Sequence, residues 1–150
     1  MRIKAVLVVL ALVFVTAMAL ADLTPWKDYE ASESVWSVTT VKVNSNMGDA
    51  YLEGLKATWA AGNEVSIELG QMEEYKILRS DMPASGDFNL LLMARFKDSN
   101  ALAPNKKRYE DFVKKWSAEK VKETTEFAQT NYPAMREITG QYMLREITLK

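Results

Sequence analysis

The alternation of apolar and polar positions predicts a strand at residues 35–43. In the run VWSVTTVKV, valine, serine and threonine fill one set of alternate positions, and Trp36, Val38, Thr40 and Lys42 fill the other. Alternation with many β-branched residues is typical of a β-strand. Three polar residues at 44–46 follow, so we expect the strand to end there and the next helix to begin with a polar cap.

Residues 47–69 carry two competing periodicities. Three positions, 65, 67 and 69, alternate as they would in a strand. A longer set recurs at spacings of three and four, as on one face of a helix: Tyr51, Leu55, Thr58, Gly62, Val65 and Leu69. We therefore predict one helix over Met47–Leu69, loosened at Gly62-Asn63 and followed by a terminating glycine, Gly70.

Two further strands are predicted in the middle of the chain. Residues 72–79 alternate, and residues 81–87 contain the proline and glycine expected of a turn. Residues 88–97 have one wholly apolar face and one mixed face. We expect a central strand there, with both of its sides covered.

A second helix and a last strand complete the pattern. Residues 109–128 show an amphipathic helical period, after a short helical turn at 99–103. Asn131-Tyr132-Pro133 is expected to end this helix, because proline disfavours helix at the residue before it. Residues 141–149 alternate again and are predicted to form the last strand.

The order strand, helix, strand, strand, helix, strand predicts an α+β fold of the ferredoxin-like βαββαβ type. Its four-stranded antiparallel sheet carries both helices on one face. The strands are too apolar for the other face to stay open in a monomer. We therefore predict a homodimer. The alternative cover is the arm at residues 22–33, held by Trp26 and Tyr29.

The stretch VWSVTTVKVNSNMGDAYLEGLKATW, a strand leading through polar residues into a helix with Trp59, resembles the dimeric α/β-barrel superfamily. That group includes cofactor-free antibiotic-biosynthesis monooxygenases, haem-degrading monooxygenases and stress-responsive barrel proteins. The closing REITGQYMLREITLK is similar to the ends of its exported members. The resemblance implies that two sheets pack face to face, with a pocket between helices and sheet in each subunit. It spans residues 34–150, which we take as one domain.

Residues 1–21 have the pattern of a cleaved signal peptide. Arg2 and Lys4 precede an apolar run from Ala5 to Val15, and Ala19-Leu20-Ala21 offers the small residues that signal peptidase requires. The run is shorter than the roughly 20 residues of a membrane span. We expect a periplasmic or secreted protein without a stable membrane anchor, although a single-span anchor remains the alternative.

The residues that the chain lacks exclude several function classes. It contains neither cysteine nor histidine. A lipoprotein anchor, a disulfide, a Ser-His-Asp triad, a histidine-ligated zinc and a histidine-ligated haem are therefore excluded. Removal of residues 1–21 changes the formal net charge from −1 to −3, because two basic residues leave. No basic block is present, so nucleic acid is not an expected partner. We expect no cofactor and no metal site.

Trp59, Trp116, Tyr75 and Arg79 are the candidate ligand-binding residues. Both tryptophans lie on the apolar faces of the predicted helices, so they are expected to point toward the sheet and line a cavity with Tyr75. Arg79 shares the strand face of Tyr75 and would meet a carboxylate or enolate there. Ordinary core packing is the favoured interpretation of the aromatic residues, since aromatic side chains make up much of any core. Asn89 and Arg95 are expected on the opposite, dimer-facing side.

The tetrad Arg-Glu-Ile-Thr at 136–139 returns at 145–148, nine residues later. Nine is odd, so in one unbroken strand the copies would point to opposite faces. Gly140 suggests a break, with the first copy as an approach loop that buries Ile138 and the second copy as strand. Arg136 and Arg145 would make an anion clamp if they converged, but coincidence is the simpler interpretation.

Two functions of different classes fit this chain. The first is an exported module that binds a small apolar or aromatic molecule or simply assembles. The second is a cofactor-independent monooxygenase acting on an aromatic substrate, which would need a base. With no histidine present, Tyr75 or Tyr142 would need a strongly lowered pKa. The sequence therefore favours the binding module and leaves open whether the protein is an enzyme.

We predict that the exported protein begins at Asp22, because the small-residue site ends at Ala21. Intact-mass spectrometry of the protein from the exported fraction checks the terminus. Exported protein that still carries Met1 would contradict the prediction.

Overall fold

The computed structural model describes residues 22–82 and 86–150, so the predicted signal segment lies outside the described residues. The strands in the described part are β1 (Tyr29–Ala31), β2 (Val35–Val43), β3 (Glu74–Arg79), β4 (Leu90–Phe96), β5 (Arg136–Leu144) and β6 (Ile147–Leu149). The helices there are α1 (Gly48–Leu55), α2 (Ala61–Glu68), α3 (Lys106–Trp116) and α4 (Ala118–Met135). A π-helical turn at Lys56–Ala60 joins α1 to α2 without a break, and a 3₁₀ turn spans Ser99–Leu102.

The main sheet has the strand order β3-β4-β2-β5, and all its neighbours are antiparallel. The two helical connections, β2 to β3 and β4 to β5, lie on the same face of the sheet. This is the ferredoxin-like arrangement, so the predicted fold class is confirmed. The strand predicted at residues 35–43 has those bounds in the structure.

The core lies between the helices and the central strands β2 and β4. Val41 and Leu90 from the sheet and Tyr51 and Leu55 from α1 are at most 3% exposed. These residues occupy the alternate strand positions and the helix face that the sequence pattern predicts. Burying such side chains stabilises the fold by about 1.5–3 kcal/mol each.

The helix of residues 48–68 departs from regular geometry at a different place from the one predicted. The π-helical turn lies at Lys56–Ala60 and not at Gly62-Asn63. Gly62 is buried, and a Cβ atom added there would lie 3.0 Å from the indole of Trp116. The glycine therefore serves close packing of α2 on α3 and does not loosen the helix.

The second helical connection also differs from the prediction. It divides at Ser117, whose φ of 79° ends α3 and whose hydroxyl accepts a hydrogen bond from the Lys120 amide at 3.2 Å to begin α4. Pro133, expected to lie beyond the helix, lies inside α4. Proline inside a helix costs about 3 kcal/mol. Burial of the neighbouring Tyr132, 5% exposed, offsets that cost.

The last strand begins earlier than predicted. The first Arg-Glu-Ile-Thr copy is part of β5, and Ile138 is 42% exposed, so the expected approach loop with a buried Ile138 is wrong. Thr40 pairs with Gly140 and Val41 with Ile138, which leaves Thr139 as the extra residue of a β-bulge. The break expected at Gly140 is thus a bulge within a strand.

The N-terminal arm contributes β1 to a two-stranded sheet that is separate from the main sheet. In it β1 pairs with β6 in antiparallel register, with Tyr29 opposite Leu149 and Ala31 opposite Ile147. We call this pair the ribbon. Trp26 is 79% exposed and does not fasten the arm to the body. Within residues 22–82 and 86–150, no helix is long and apolar enough to cross a membrane.

Candidate ligand site and open sheet face

Trp59 and Tyr75, two of the predicted ligand residues, contact each other. Their ring centroids are 5.3 Å apart, and the rings are nearly perpendicular. This edge-to-face pair joins the π-helical turn to β3, as expected for side chains that share the space between helix and sheet. The Tyr75 hydroxyl donates a hydrogen bond to the Glu64 carboxylate at 2.7 Å. The pair thus fills part of the space in which a cavity was expected.

Trp116 lies between helices. Its ring meets that of Phe112 at a centroid distance of 5.3 Å and lies against Gly62 of α2. The contacts of this tryptophan are therefore with α2 and with its own helix. Sequence periodicity identified the apolar face of α3, but it did not indicate which neighbour that face contacts.

Arg79 lines a cavity of about 520 Å³ at one end of the sheet. The cavity is bounded by the end of β2, the start of α1, the segment after β3 and the start of β4. Among the four candidate residues, only Arg79 belongs to the lining. The other polar lining groups are Lys42, Asn44, Ser45, Asn46, Ser80, Asp81 and Asn89. This lining is mixed and polar, unlike the aromatic pocket that the sequence suggested.

The guanidinium group of Arg79 lies over the first turn of α1. A Cβ atom added to Gly48 would be 3.8 Å from its Nη1 atom. Its ion pair with Asp49 spans 3.8 Å, which is beyond hydrogen-bond distance, and the Asp49 side chain is fully exposed. The positive end of a helix repels a nearby cation. An anion between them would stabilise both groups.

A second cavity, of about 510 Å³, lies at the opposite end of the sheet, between α2, β4 and α3. Two basic residues, Lys97 and Arg108, belong to its lining. The guanidinium group of Arg108 is already engaged, since it donates to the Ala103 carbonyl, and the backbone carbonyl of Arg108 accepts from Gln71 Nε2 at 3.0 Å. Arg108 therefore holds the 3₁₀ turn against α3 and is a weaker ligand candidate than Arg79. Within residues 22–82 and 86–150, no three acidic side chains gather as a metal site would require.

A buried pair of hydroxyl groups, which the sequence pattern did not predict, joins the two helical connections. The hydroxyls of Thr58 and Tyr132 are 2.5 Å apart, and Thr58 Oγ1 also lies 2.9 Å from the Gly54 carbonyl, to which it donates. Because Thr58 has one hydroxyl proton, Tyr132 is the donor to Thr58. Because Tyr132 precedes Pro133, the sequence predicted that the helix ends at this residue. The pattern therefore did not indicate that Tyr132 is buried within a helix.

Tyrosines of the core are held in the neutral state. Burial raises the pKa of Tyr51 and of Tyr132 above the ordinary 10.0. The hydrogen bond to Glu64 raises the pKa of Tyr75, with burial adding to it. A general base would need the opposite shift. Tyr75 is therefore unsuited to the base role that a monooxygenase would require.

The two arginines of the repeated tetrad do not form a clamp. Arg136 lies at one end of β5, opposite Val43 of β2. Its guanidinium group lies 5.5 Å from the ring of Tyr132. Arg145 lies beyond the other end of β5. It donates to the carbonyls of Ser32 and Glu33 at 2.8 and 2.6 Å. Each arginine has a separate structural role, which agrees with the interpretation that the repeated Arg-Glu-Ile-Thr tetrad is a coincidence of sequence.

The face of the main sheet opposite the helices, which we call the open face, has an apolar centre. The strand registers place these side chains there together: Trp36, Val38, Leu78, Leu91, Met93, Tyr142 and Leu144. Leu78, Tyr142 and Leu144 are each about half exposed, at 49%, 53% and 49%. Such a patch on an otherwise folded domain indicates an interaction surface.

One corner of the open face is charged. Arg95 forms ion pairs with Glu73 and Glu74 at 3.0 and 3.1 Å, and Lys76 lies 4.8 Å above the ring of Trp36. Arg95 is thus on the side predicted for it. Asn89 is not part of this surface: its amide group binds the backbone N–H and C=O of Val43 at 2.7 and 2.9 Å and extends the β2–β4 pairing.

The bulge shapes the centre of the open face. A Cβ atom at Gly140 would lie 2.8 Å from the Tyr142 ring and 2.9 Å from the Thr40 hydroxyl. The absence of a side chain at Gly140 therefore lets the Tyr142 ring lie across the strand.

We predict that Glu64→Gln lowers the pKa of Tyr75 toward its ordinary value, because a carboxylate acceptor favours the protonated phenol more than an amide does. Absorbance titration of tyrosinate in the alkaline range measures the change. Glu68→Gln is the control, since Glu68 pairs with Lys115. An identical titration of the two variants would contradict the prediction.

The same shifts set the alkaline stability of the protein. Groups whose pKa is higher in the folded state stabilise it at low pH and lose that contribution as pH rises. We therefore expect the free energy of unfolding to fall as pH rises above about 10, where the tyrosines of the unfolded chain ionise first. Urea unfolding at pH 8 through 11 checks this. A constant or rising free energy would contradict it.

Comparison with known proteins finds similarity in structure alone. No protein-family model matches the sequence, and a search of curated proteins finds no match. Protein SO0527 of Shewanella oneidensis is 13% identical, with a TM-score of 0.50 over 80% of this chain and 98% of that one. A dimeric protein of unknown function and ferredoxin-like fold from Bacteroides fragilis is 10% identical (TM-score 0.43, coverage 81% and 100%). A DABB family protein with a ferredoxin-like fold from Mesorhizobium loti is 12% identical (TM-score 0.37, coverage 81% and 98%). The resemblance stated from the sequence is confirmed at the level of the ferredoxin-like fold.

Proposed function

We propose that the protein is an exported assembly module that pairs with a second copy of itself through the open face, forming a dimeric α/β barrel. The observation that carries the proposal is the apolar centre of that face, with its charged corner. An apolar centre with a polar rim is the usual anatomy of a protein interface. A second copy supplies the same surface, which a two-fold axis makes self-complementary.

The energetics favour closure of this face. Val38 is 5% exposed because its neighbours Trp36, Met93 and Tyr142 surround it, while those neighbours keep part of their own surface in water. Removing apolar surface from water contributes about 25 cal/mol per Å². Paired sheets pack about 10 Å apart, a spacing that side chains of this size can fill.

We also propose that each subunit binds a small carboxylate in the cavity lined by Arg79. The guanidinium group lies beside the start of α1, and among residues 22–82 and 86–150 its ion-pair partner is the distant Asp49, so a carboxylate there would receive charge-assisted hydrogen bonds. The cavity volume, about 520 Å³, is in the range of small-molecule sites. We favour binding over catalysis for this protein. A monooxygenase would need a base, and the raised pKa of Tyr75 makes that residue unsuited to the role.

We predict that the wild-type protein is a dimer at micromolar concentration and that Tyr142→Glu makes it monomeric. Tyr142 is half exposed in one copy, so the glutamate leaves the subunit folded but places a charge at the centre of the interface. The dimer would bury one such charge from each copy, at roughly 3 kcal/mol each, which weakens it by more than about a hundredfold. Light scattering with size-exclusion chromatography measures the mass.

Tyr109→Glu is the matched control. Tyr109 is 64% exposed on α3, on the helical side of the sheet, so this variant should remain a dimer. A monomeric wild type, or loss of the dimer in both variants, would refute the open face as the interface.

We predict that benzoate, used as a simple aromatic carboxylate, perturbs the amide signal of Gly48 in the wild type. Arg79→Ala should weaken its binding about ten- to a hundredfold, because a charge-assisted hydrogen bond is lost. NMR titration of labelled protein gives the affinity. Lys76→Ala removes a cation from the open face and should leave the affinity unchanged. Equal affinity in wild type and Arg79→Ala would exclude Arg79 from the site.

A further inference from the structure

The cavity beside Arg79 carries an acidic side chain as well as a basic one. Asp81 is the acidic residue in its lining, among the residues that the structure describes. Arg79 ends β3, and the Ser80 amide continues the β3–β4 pairing with a hydrogen bond to the Asn89 carbonyl at 2.9 Å. In an extended chain, residues two apart point to the same side. Arg79 and Asp81 therefore face the same space, with their Cα atoms at most about 7 Å apart.

These two charges do not neutralise each other. In the described part of the chain, the ion pair of Arg79 is with Asp49, which does not line the cavity, and Asp81 forms no ion pair. The other lining cation, Lys42, donates to the Gly86 carbonyl at 2.7 Å. The side chain of Asp81 is exposed and is therefore accessible to a ligand. The cavity thus presents one positive and one negative group to a molecule that enters it.

Part of the cavity lining is apolar. Val43 and Leu90, at the adjoining ends of β2 and β4, belong to the core and to the lining. Leu52 of α1 packs against the same core, and Met82 is 72% exposed. A ligand group that covers such side chains removes apolar surface from water, which favours an apolar group. The cavity therefore suits a ligand that has a positive group, a negative group and an apolar part.

We propose that the ligand of this cavity is a free α-amino acid with an apolar side chain; this inference rests on the proposed carboxylate site. An α-amino acid carries a carboxylate and an ammonium group on one carbon atom. The carboxylate pairs with Arg79 and the ammonium group pairs with Asp81, while the side chain covers the apolar part of the lining. A phosphate or a dicarboxylate fits less well, because Asp81 repels a second negative charge.

The test compares L-phenylalanine with 3-phenylpropanoate, which is the same molecule without its ammonium group. NMR titration of labelled wild-type protein at low ionic strength, following the Gly48 amide, gives both affinities. Because Asp81 is exposed, water screens its ion pair, and we expect phenylalanine to bind roughly two- to fivefold more tightly. In Asp81→Asn this preference should disappear, while 3-phenylpropanoate binds at least as tightly as before. The exposed position of Asp81 lets this variant keep the fold.

Asp111→Asn is the matched control. Asp111 pairs with Lys107 and lines the second cavity, so this variant should keep the wild-type preference for phenylalanine. Equal affinities in the wild type, or tighter binding of 3-phenylpropanoate, would overturn the amino-acid inference alone and leave the carboxylate site in place. Binding of neither compound would overturn both. A preference for phenylalanine that persists in Asp81→Asn would remove Asp81 from the site and overturn the inference too.

Discussion

The buried hydroxyl contact between Thr58 and Tyr132 joins the two helical connections of the sheet, and much of the structure depends on it. Both side chains are buried, at 7% and 5% exposed, so a hydroxyl without a partner inside the protein would cost about 1–3 kcal/mol. The π-helical turn contains Thr58, and α4 continues through Pro133 with Tyr132 in its last turn. Two local irregularities, one in each connection, therefore meet at one hydrogen bond.

This contact also requires a close approach of the helices. A Cβ atom at Gly54 would lie 3.0 Å from the Tyr132 ring and 3.1 Å from Phe127. The ring of Tyr51 meets that of Tyr132 edge to face at 5.1 Å. Because both connections are locked together on one face, neither is free to cover the other face. The open face, and with it the proposed pairing, follows from this arrangement.

The two proposed activities occupy different parts of the subunit. The cavity with Arg79 lies at the end of the sheet where α1 begins, whereas the charged corner of the open face lies at the end marked by Trp36 and Leu144. Binding of a carboxylate and pairing of subunits therefore draw on separate residues. Variants at Arg79 and at Tyr142 can be interpreted independently, since sites without shared partners contribute additively.

The candidate site was predictable only in part. Periodicity correctly placed Arg79 and Tyr75 on the helix side of β3, because alternation fixes the side of a strand on which a residue lies. It could not show that Trp59 contacts Tyr75 while Trp116 contacts Gly62, since those neighbours depend on how the helices pack. Nor could it show that the space beside Arg79 stays open at the sheet end.

The sequence by itself determined the βαββαβ order of the main sheet and its helical connections, the bounds of the strand at 35–43, and the apolar character of both sheet faces. It also excluded chemistry that needs histidine or cysteine. These properties follow from short-range patterns or from composition. The tertiary structure alone decided that Pro133 stays helical, that the π-helical turn lies at Lys56–Ala60, and that β1 and β6 pair. Each of these features depends on contacts between distant residues, whose energies outweigh the local preference that a sequence pattern records.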